Sequence, residues 1–124
     1  VLKGADFSQA DCHGADIADA DLREANLSNT NLIETDLKRV NLSGANLTGA
    51  NLSESNLRKA TLTGANFKDA RLLETKLTGV DLSQVLNLSP KEVTLAIIDK
   101  KTKVPANLEI HWISDESFEC KERP

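Results

Sequence analysis

A large apolar residue, usually leucine, stands at every fifth position from Phe7 to Leu82. The column runs Phe7, Cys12, Ile17, Leu22, Leu27 and Leu32, and then on through Phe67, Leu72, Leu77 and Leu82, sixteen hits in succession. Two residues before each of them sits a small or β-branched side chain, from Ala5 and Ala10 to Thr75 and Val80, and the position between is mostly Asp or Asn. The unit is A-(D/N)-L-x-x. An α-helix advances about 100° per residue, so a strict fivefold repeat would walk its leucines around the axis by about 140° per unit and leave no apolar face. A straight strand would send successive leucines to opposite sides. The chain must therefore turn a corner within each unit, so that every leucine meets the same interior.

Within a unit the strand rule still holds. The leucine and the small residue two before it point inward, and the Asp or Asn between them points outward. The last two residues make the corner. All six glycines, Gly4, Gly14, Gly44, Gly49, Gly64 and Gly79, fall on the second corner position. Glycine takes a positive φ without steric cost, so this column is where the backbone bends most sharply.

On this motif, repeated through residues 5–84, the chain resembles the pentapeptide-repeat family. The resemblance implies an all-β solenoid, a right-handed quadrilateral β-helix of about four coils in which four units close one square turn. At about 4.8 Å between stacked strands the rod would be roughly 20 Å tall. It also implies interior columns such as Phe7–Leu27–Leu47–Phe67 and Cys12–Leu32–Leu52–Leu72. The expected organisation is 1–86 as the β-helix, 87–105 as a helical cap and 106–124 as a partly ordered extension. Val1 to Gly4 continue the register, with Leu2 in a central position. The open first coil would be solvated or covered by further residues, a partner or a second copy.

The repeat ends near Val85, because Asn87 falls where a leucine should be. Ser89-Pro90-Lys91-Glu92 is a helix start, with serine as N-cap, proline at the first helical position and glutamate three residues after the serine. Val93, Leu95, Ala96, Ile97 and Ile98 then predict a short helix to about Lys100, laid over the last coil. Leu108, Ile110, Trp112 and Ile113 alternate loosely and fit a short strand or a helical turn, and Ser114 to Pro124 reads as a poorly ordered tail.

Outward positions are where specificity would be written. Stacked by coils, Glu34, Glu54 and Glu74 form an acidic ladder, with Ile33 and Leu73 as exposed apolar residues beside it. Lys38, Arg39, Arg58 and Lys59 form a neighbouring basic cluster that offsets repulsion within the ladder. These residues make the candidate face for a protein partner, against the plainer reading of a solvated face of mixed charge. Residues 1–36 carry eight acids against Lys3 and Arg23, while residues 37–86 carry seven bases against four acids.

The net charge of −4 selects no partner by itself. Tyr is absent and there is one Trp, so stacking platforms for single-stranded nucleic acid are missing. No apolar run is long enough to span a membrane. The chain enters the repeat at once, as a processed or trimmed product would. Cys12 is an inward position and Cys120 lies in the tail; a bridge between them would need the tail to run back along the rod. His13 and His111 have no cysteine at ligand spacing, so no zinc site is expected. Cys12 and His13 are adjacent and face opposite ways, which argues against a nucleophile–base pair. The many carboxylates sit on a convex surface with no expected cleft, and they are better suited to bonding turn backbone than to acid–base catalysis. The glycines are corners and not a phosphate loop.

The expectation is a non-enzymatic interaction or scaffold module without cofactor or metal, presenting flat faces to an unidentified protein, as a monomer or end-to-end dimer. The alternative that the resemblance supplies is a DNA-mimic inhibitor of a type II topoisomerase, although the basic second half departs from it. The resemblance also implies a cyanobacterial or chloroplast setting, with the thylakoid lumen ahead of the cytoplasm.

Overall fold

The computed structural model describes residues 2–124, so Val1 lies outside the described residues. Outward residues pair in parallel with the residue twenty positions on, as in Asp6–Asn26–Asn46–Asn66–Leu86 and Asp11–Asn31–Asn51–Arg71. Four units therefore close one turn, and the chain winds as a quadrilateral β-helix. Central amides from Phe7 to Leu57 donate to the outward carbonyl of the next coil (Phe7 to Asn26, 2.8 Å; Leu27 to Asn46, 2.8 Å), and outward amides from Asn26 to Lys76 donate back to the small residue (Asn26 to Ala5, 2.8 Å).

At the corner, the small residue's amide closes on the central carbonyl three positions earlier, as from Ala10 to Phe7 at 2.9 Å. The second corner residue has a positive φ in every unit from Gly4 to Gly79, glycine or not, and the first does not. That is the signature of a type II turn. Ten non-glycine residues accept it, from Asn29 and Glu74 at 55° to Asp19 at 66°.

The interior is a continuous stack. From Leu22 to Leu82 every central side chain is buried, and Leu37, Leu42, Leu47, Leu52, Leu57, Leu72, Leu77 and Leu82 are at 0% exposure. Each contributes roughly 1.5–3 kcal/mol relative to exposure. Thr30, Ser55 and Thr75 in the small column are buried too, and their hydroxyls donate to main-chain carbonyls (Thr30 to Phe7 and Thr75 to Leu52, one coil back; Ser55 to Leu52). In the first coil Phe7, Cys12 and Ile17 are half-buried, because no coil covers their outer side, and Leu2 is exposed.

Beyond Val85 a fifth, broken coil follows. Leu86 still stacks on Asn66, but Ile97 pairs with Lys76 and Lys103 with Asp81, offsets of 21 and 22 residues. Helix α1 (Pro90–Leu95) is the inserted chain; Ser89 caps it and accepts from the Glu92 amide. Where α1 leaves the coil, side chains replace the missing carbonyls. Glu92 Oε1 accepts from the Leu72 amide (2.8 Å) and Asp99 Oδ1 from the Gly79 amide (2.9 Å), while the buried Thr102 hydroxyl donates to the Leu77 carbonyl (2.9 Å).

The helix is shorter than its apolar run predicts. Ala96 takes an extended ψ of 166°, and residues beyond it return to the coil. Val93 and Ala96 are buried, but Leu95 and Ile97 face solvent. The tail is also ordered where a loose end was expected. Strand β1 (Leu108–Trp112) pairs antiparallel with β2 (Phe118–Glu122), in the register Ile110 to Cys120 and Trp112 to Phe118. Buried Leu108 and half-buried Ile110, Phe118 and Cys120 anchor this hairpin to the core, and β2 contacts α1. Cys12 and Cys120 are free thiols, not a disulfide.

The corner geometry separates two glycines. A Cβ on Gly49 would collide with the Asn29 side-chain carbonyl one coil back, whereas a Cβ on Gly79 meets nothing. Gly79→Ala carries only the left-handed backbone cost of about 1–2 kcal/mol, and Gly49→Ala carries that cost plus displacement of Asn29. Urea unfolding should rank wild type above Gly79→Ala above Gly49→Ala; equal midpoints for the two variants would refute the stacking of Asn29 on Gly49.

Candidate functional site

The outward Asp and Asn column serves the turns. Its Oδ1 atoms accept from the amide two residues on, as Asp6 from Ser8 (2.9 Å), Asn31 from Ile33 (3.0 Å) and Asn51 from Ser53 (3.1 Å). These bonds favour the ionised carboxylate. Asp6 and Asp81 lie below the usual carboxylate range because Ser8 and Ser83 hydrogen-bond to them. The Arg23 guanidinium grips both oxygens of Asp21 (2.9 and 2.7 Å) and, with the Arg23 amide, lowers its pKa to about 2. Burial raises Asp99, but donors from Gly79, Lys101 and Thr102 outweigh it and the net shift is downward. Carboxylates moved away from neutrality are poor general acids or bases.

Glu34, Glu54 and Glu74 occupy the second corner position of three successive coils, at φ values of 57°, 60° and 55°. All three are exposed. Glu34 Oε1 lies 3.7 Å from His13 Nε2, the residue one coil back at the neighbouring corner position. Among the described residues Glu54 and Glu74 form no ion pair.

The structure redraws the rest of the expected face. Ile33 is half-buried and not exposed; it lines a shallow surface depression of about 490 Å³ with Asn29, Asn31, Asn51 and Arg71. Leu73 is exposed, as expected. The basic cluster does not offset the ladder by direct pairing. Arg39 grips Asp19, one coil back in its own column, at 2.7 and 2.9 Å, and Lys38 lies 3.6 Å from Asp36. Arg58 and Lys59 are exposed and pair with neither ladder nor neighbour among the described residues.

Two residues that belong to this face escaped the sequence reading. The Glu54 amide donates to the Leu73 carbonyl, and one coil on the Glu74 amide donates to the Leu95 carbonyl, both at 2.8 Å. Leu95 therefore stacks on Leu73, and Ile97 follows beside it on the next side. A helix running to about Lys100 would place both inside; α1 ends five residues earlier, at Leu95, and leaves them exposed.

No group of three or more His, Cys, Asp or Glu among the described residues is arranged to hold a metal. Burial pushes the thiols of Cys12 and Cys120 up, away from the reactive thiolate. No helix among the described residues is long and apolar enough to cross a membrane.

Residues 5–44 and 45–84 each match the family described as pentapeptide repeats (8 copies). Among solved structures, a pentapeptide repeat protein from the cyanobacterium Cyanothece 51142 is 38% identical, with a TM-score of 0.51 over 82% of this chain and 61% of that one. A pentapeptide repeat protein from the Arabidopsis thaliana thylakoid lumen is 24% identical over 76% of this chain and 61% of its own, with a TM-score of 0.32. A plasmid-mediated fluoroquinolone resistance protein is 15% identical over 85% of this chain and 72% of its own, with a TM-score of 0.37. The chain thus spans about three fifths of the length of the cyanobacterial protein. No curated protein is significantly similar in sequence.

Lowered carboxylate pKa values carry a sign. Groups depressed below the unfolded aspartate value of about 3.9 add stability above that pH and lose it as pH falls through their folded values. The melting temperature should therefore drop between about pH 4 and pH 2, the window set by Asp21 at about 2. Asp21→Asn should make that drop shallower, and about 1 M salt should reduce the contribution of this exposed pair. A melting temperature flat across the window would refute the assignment.

Proposed function

The chain belongs to the pentapeptide-repeat family of right-handed quadrilateral β-helices, and from that premise we propose that it is a non-enzymatic protein-interaction module. The observation that carries this reading is the Glu34–Glu54–Glu74 column. A left-handed corner is cheapest with Gly or Asn, and an L-residue with a long side chain costs about 1–2 kcal/mol there. Other corners such as Gln9, Glu24, Arg39 and Lys59 accept that cost too, but this column repeats the same exposed, charged residue through three successive coils. The fold does not need the charge, so a surface role accounts for it better than a structural one.

The segment from Leu86 to Val104 serves this role as a cap. It gives the amides of the last regular coil their acceptors, so that the rod ends without an open edge on that side. The 38% identity to a cyanobacterial protein supports a cyanobacterial or plastid setting, and the thylakoid lumen is the compartment we propose within it. The DNA-mimic alternative draws no support from the charge. Acids crowd the first coil and a half, while Arg39, Arg58, Lys59, Lys68, Arg71 and Lys76 interrupt any acidic track further along.

The test is affinity capture from separately prepared lumenal and cytoplasmic fractions, using the intact chain and a Glu34→Ser/Glu54→Ser/Glu74→Ser variant side by side. A partner retained by the first and lost by the second is the expected result, and its fraction of origin reports the compartment. Capture of nothing by either protein from either fraction would count against the module reading.

A further inference from the structure

We propose that the side of the rod carrying Asp36, Asn56 and Lys76 is a self-complementary face that joins two copies of this chain side by side and parallel. The proposal rests on the interaction-module reading and names a second copy of the chain as the partner.

Charge divides this face along its length. Its outward column is Asp16, Asp36, Asn56, Lys76 and then Ile97. The corner that leads into it carries Glu34, Glu54 and Glu74. In the second and third coils the chain leaves it through Lys38-Arg39 and Arg58-Lys59. In those two coils every charged group before the middle of the face is an acid, and every one after it is a base. The other three sides have no such division.

Within one chain the two halves leave charges unmatched. Glu54, Arg58 and Lys59 are exposed and form no ion pair among the described residues. The width of the face keeps Glu54 from Arg58 and Lys59. Glu34 has only His13, at 3.7 Å, and Asp36 lies 3.6 Å from Lys38.

A two-fold axis parallel to the rod, through the middle of this face, lays the acidic half of each copy on the basic half of the other. Coils then meet at equal height. Glu54 faces Lys59 of the second copy, Asn56 faces Arg58, Glu34 faces Arg39 and Asp36 faces Lys38. A two-fold interface uses one patch twice, so the patch must complement itself, and this one does so row by row. No like charges face each other directly in the four regular coils. In the fourth, Glu74 and Lys76 face Gly79 and Thr78. In the first, Gly14 and Asp16 face Asp19 and Ala18, and Asp19 is already held by Arg39 at 2.7 and 2.9 Å.

The same charges exclude the other pairings. An axis across the rods makes the copies antiparallel and sets the glutamate column against itself. Joining the open first coils end to end sets Asp6, Asp11, Asp16 and Asp21 against their own counterparts. Like charges brought together across an interface oppose association. Exposed ion pairs are individually weak, and one side of a short rod is a small interface. The dissociation constant at low salt is therefore on the order of 0.1 mM.

Sedimentation equilibrium of the purified chain tests this, at loadings up to about 1 mM and in about 0.01 M and 0.5 M salt. Wild type should rise from 13.5 kDa toward twice that mass at low salt and return to monomer at high salt. Glu54→Lys and Lys59→Glu each set like charges together at two contacts and should weaken association about tenfold or more. An equimolar mixture of the two variants should associate as wild type does, because lysine again meets glutamate at both contacts. So should one chain carrying both changes. Both positions already hold long side chains at positive φ, 60° and 61°, and circular dichroism melts check that each variant is folded. Monomer at every loading overturns the proposal. A dimer that high salt or the single variants leave intact also overturns it, by placing the contact on an end or another side. Loss in the single variants without recovery in the doubly changed chain overturns it as well, because the two residues then do not face each other. Affinity capture from the fractions tests the module reading separately: a different protein captured by a chain that sediments as monomer leaves that reading standing and this inference refuted.

Discussion

The left-handed residue at the second corner position is the constraint on which this rod depends. Four turns per coil bring each leucine back over the one twenty residues earlier, and each turn needs a positive φ. Glycine meets the need at six corners. At the others an L-residue is held there by bonds on either side of it, such as the Glu54 amide to Leu73 and the Ser55 amide to Leu52, at 2.8 and 3.0 Å. The backbone cost at one corner is offset by the coil stack as a whole, so the corners can carry side chains that a free turn would not hold. The same bond that closes the coil fixes where Glu34, Glu54 and Glu74 stand, about 4.8 Å apart along the axis. Structure and candidate function thus share one cause.

The last coil shows what happens when that cause fails. Regular stacking needs a carbonyl at each position, and α1 removes some of them. Glu92 and Asp99 supply carboxylate oxygens instead, and Thr102 returns a donor to Leu77. The break that demands these substitutes also deletes one corner residue and turns Leu95 and Ile97 to solvent. The apolar patch beside Glu74 is a product of how the solenoid ends, and it sits on backbone tied to the fourth coil. The hairpin beyond adds Leu108 to the core and joins α1 through β2, so the end of the rod is packed as well as hydrogen-bonded.

Most of the fold was legible because a period of five admits few shapes. The leucine column, the glycine corners and the outward Asx residues each pointed to the same corner-by-corner winding, and the structure places them so. The departures lie where periodicity stops. Val93 to Ile98 is a short apolar run, and such a run suits a helix or a return to the coil equally well. The Leu108–Trp112 and Phe118–Glu122 strands are joined by a polar loop without a glycine turn signal, so the second was hidden in a charged tail. Ile33 was misjudged because the exposure of a first corner position depends on neighbours one coil away, here in the groove with Asn51 and Arg71. The partners of the basic cluster were not legible in the sequence either. Arg39 reaches Asp19 straight along its own column, one coil back.

The central claim is that stacking makes the rod one rigid lattice on which outward side chains keep fixed positions. Native-state hydrogen exchange tests it most directly. The amides of Leu32, Glu34, Leu52, Glu54, Leu57 and Leu77, each bonded to the next coil, should open with one shared free energy equal to that of global unfolding. The Asp6, Asp11 and Asp16 amides, which have no acceptor among the described residues, should exchange fast. Coil-by-coil opening at low free energy around Glu34 and Glu54 would contradict the claim, because a ladder on fraying coils has no fixed spacing to offer a partner.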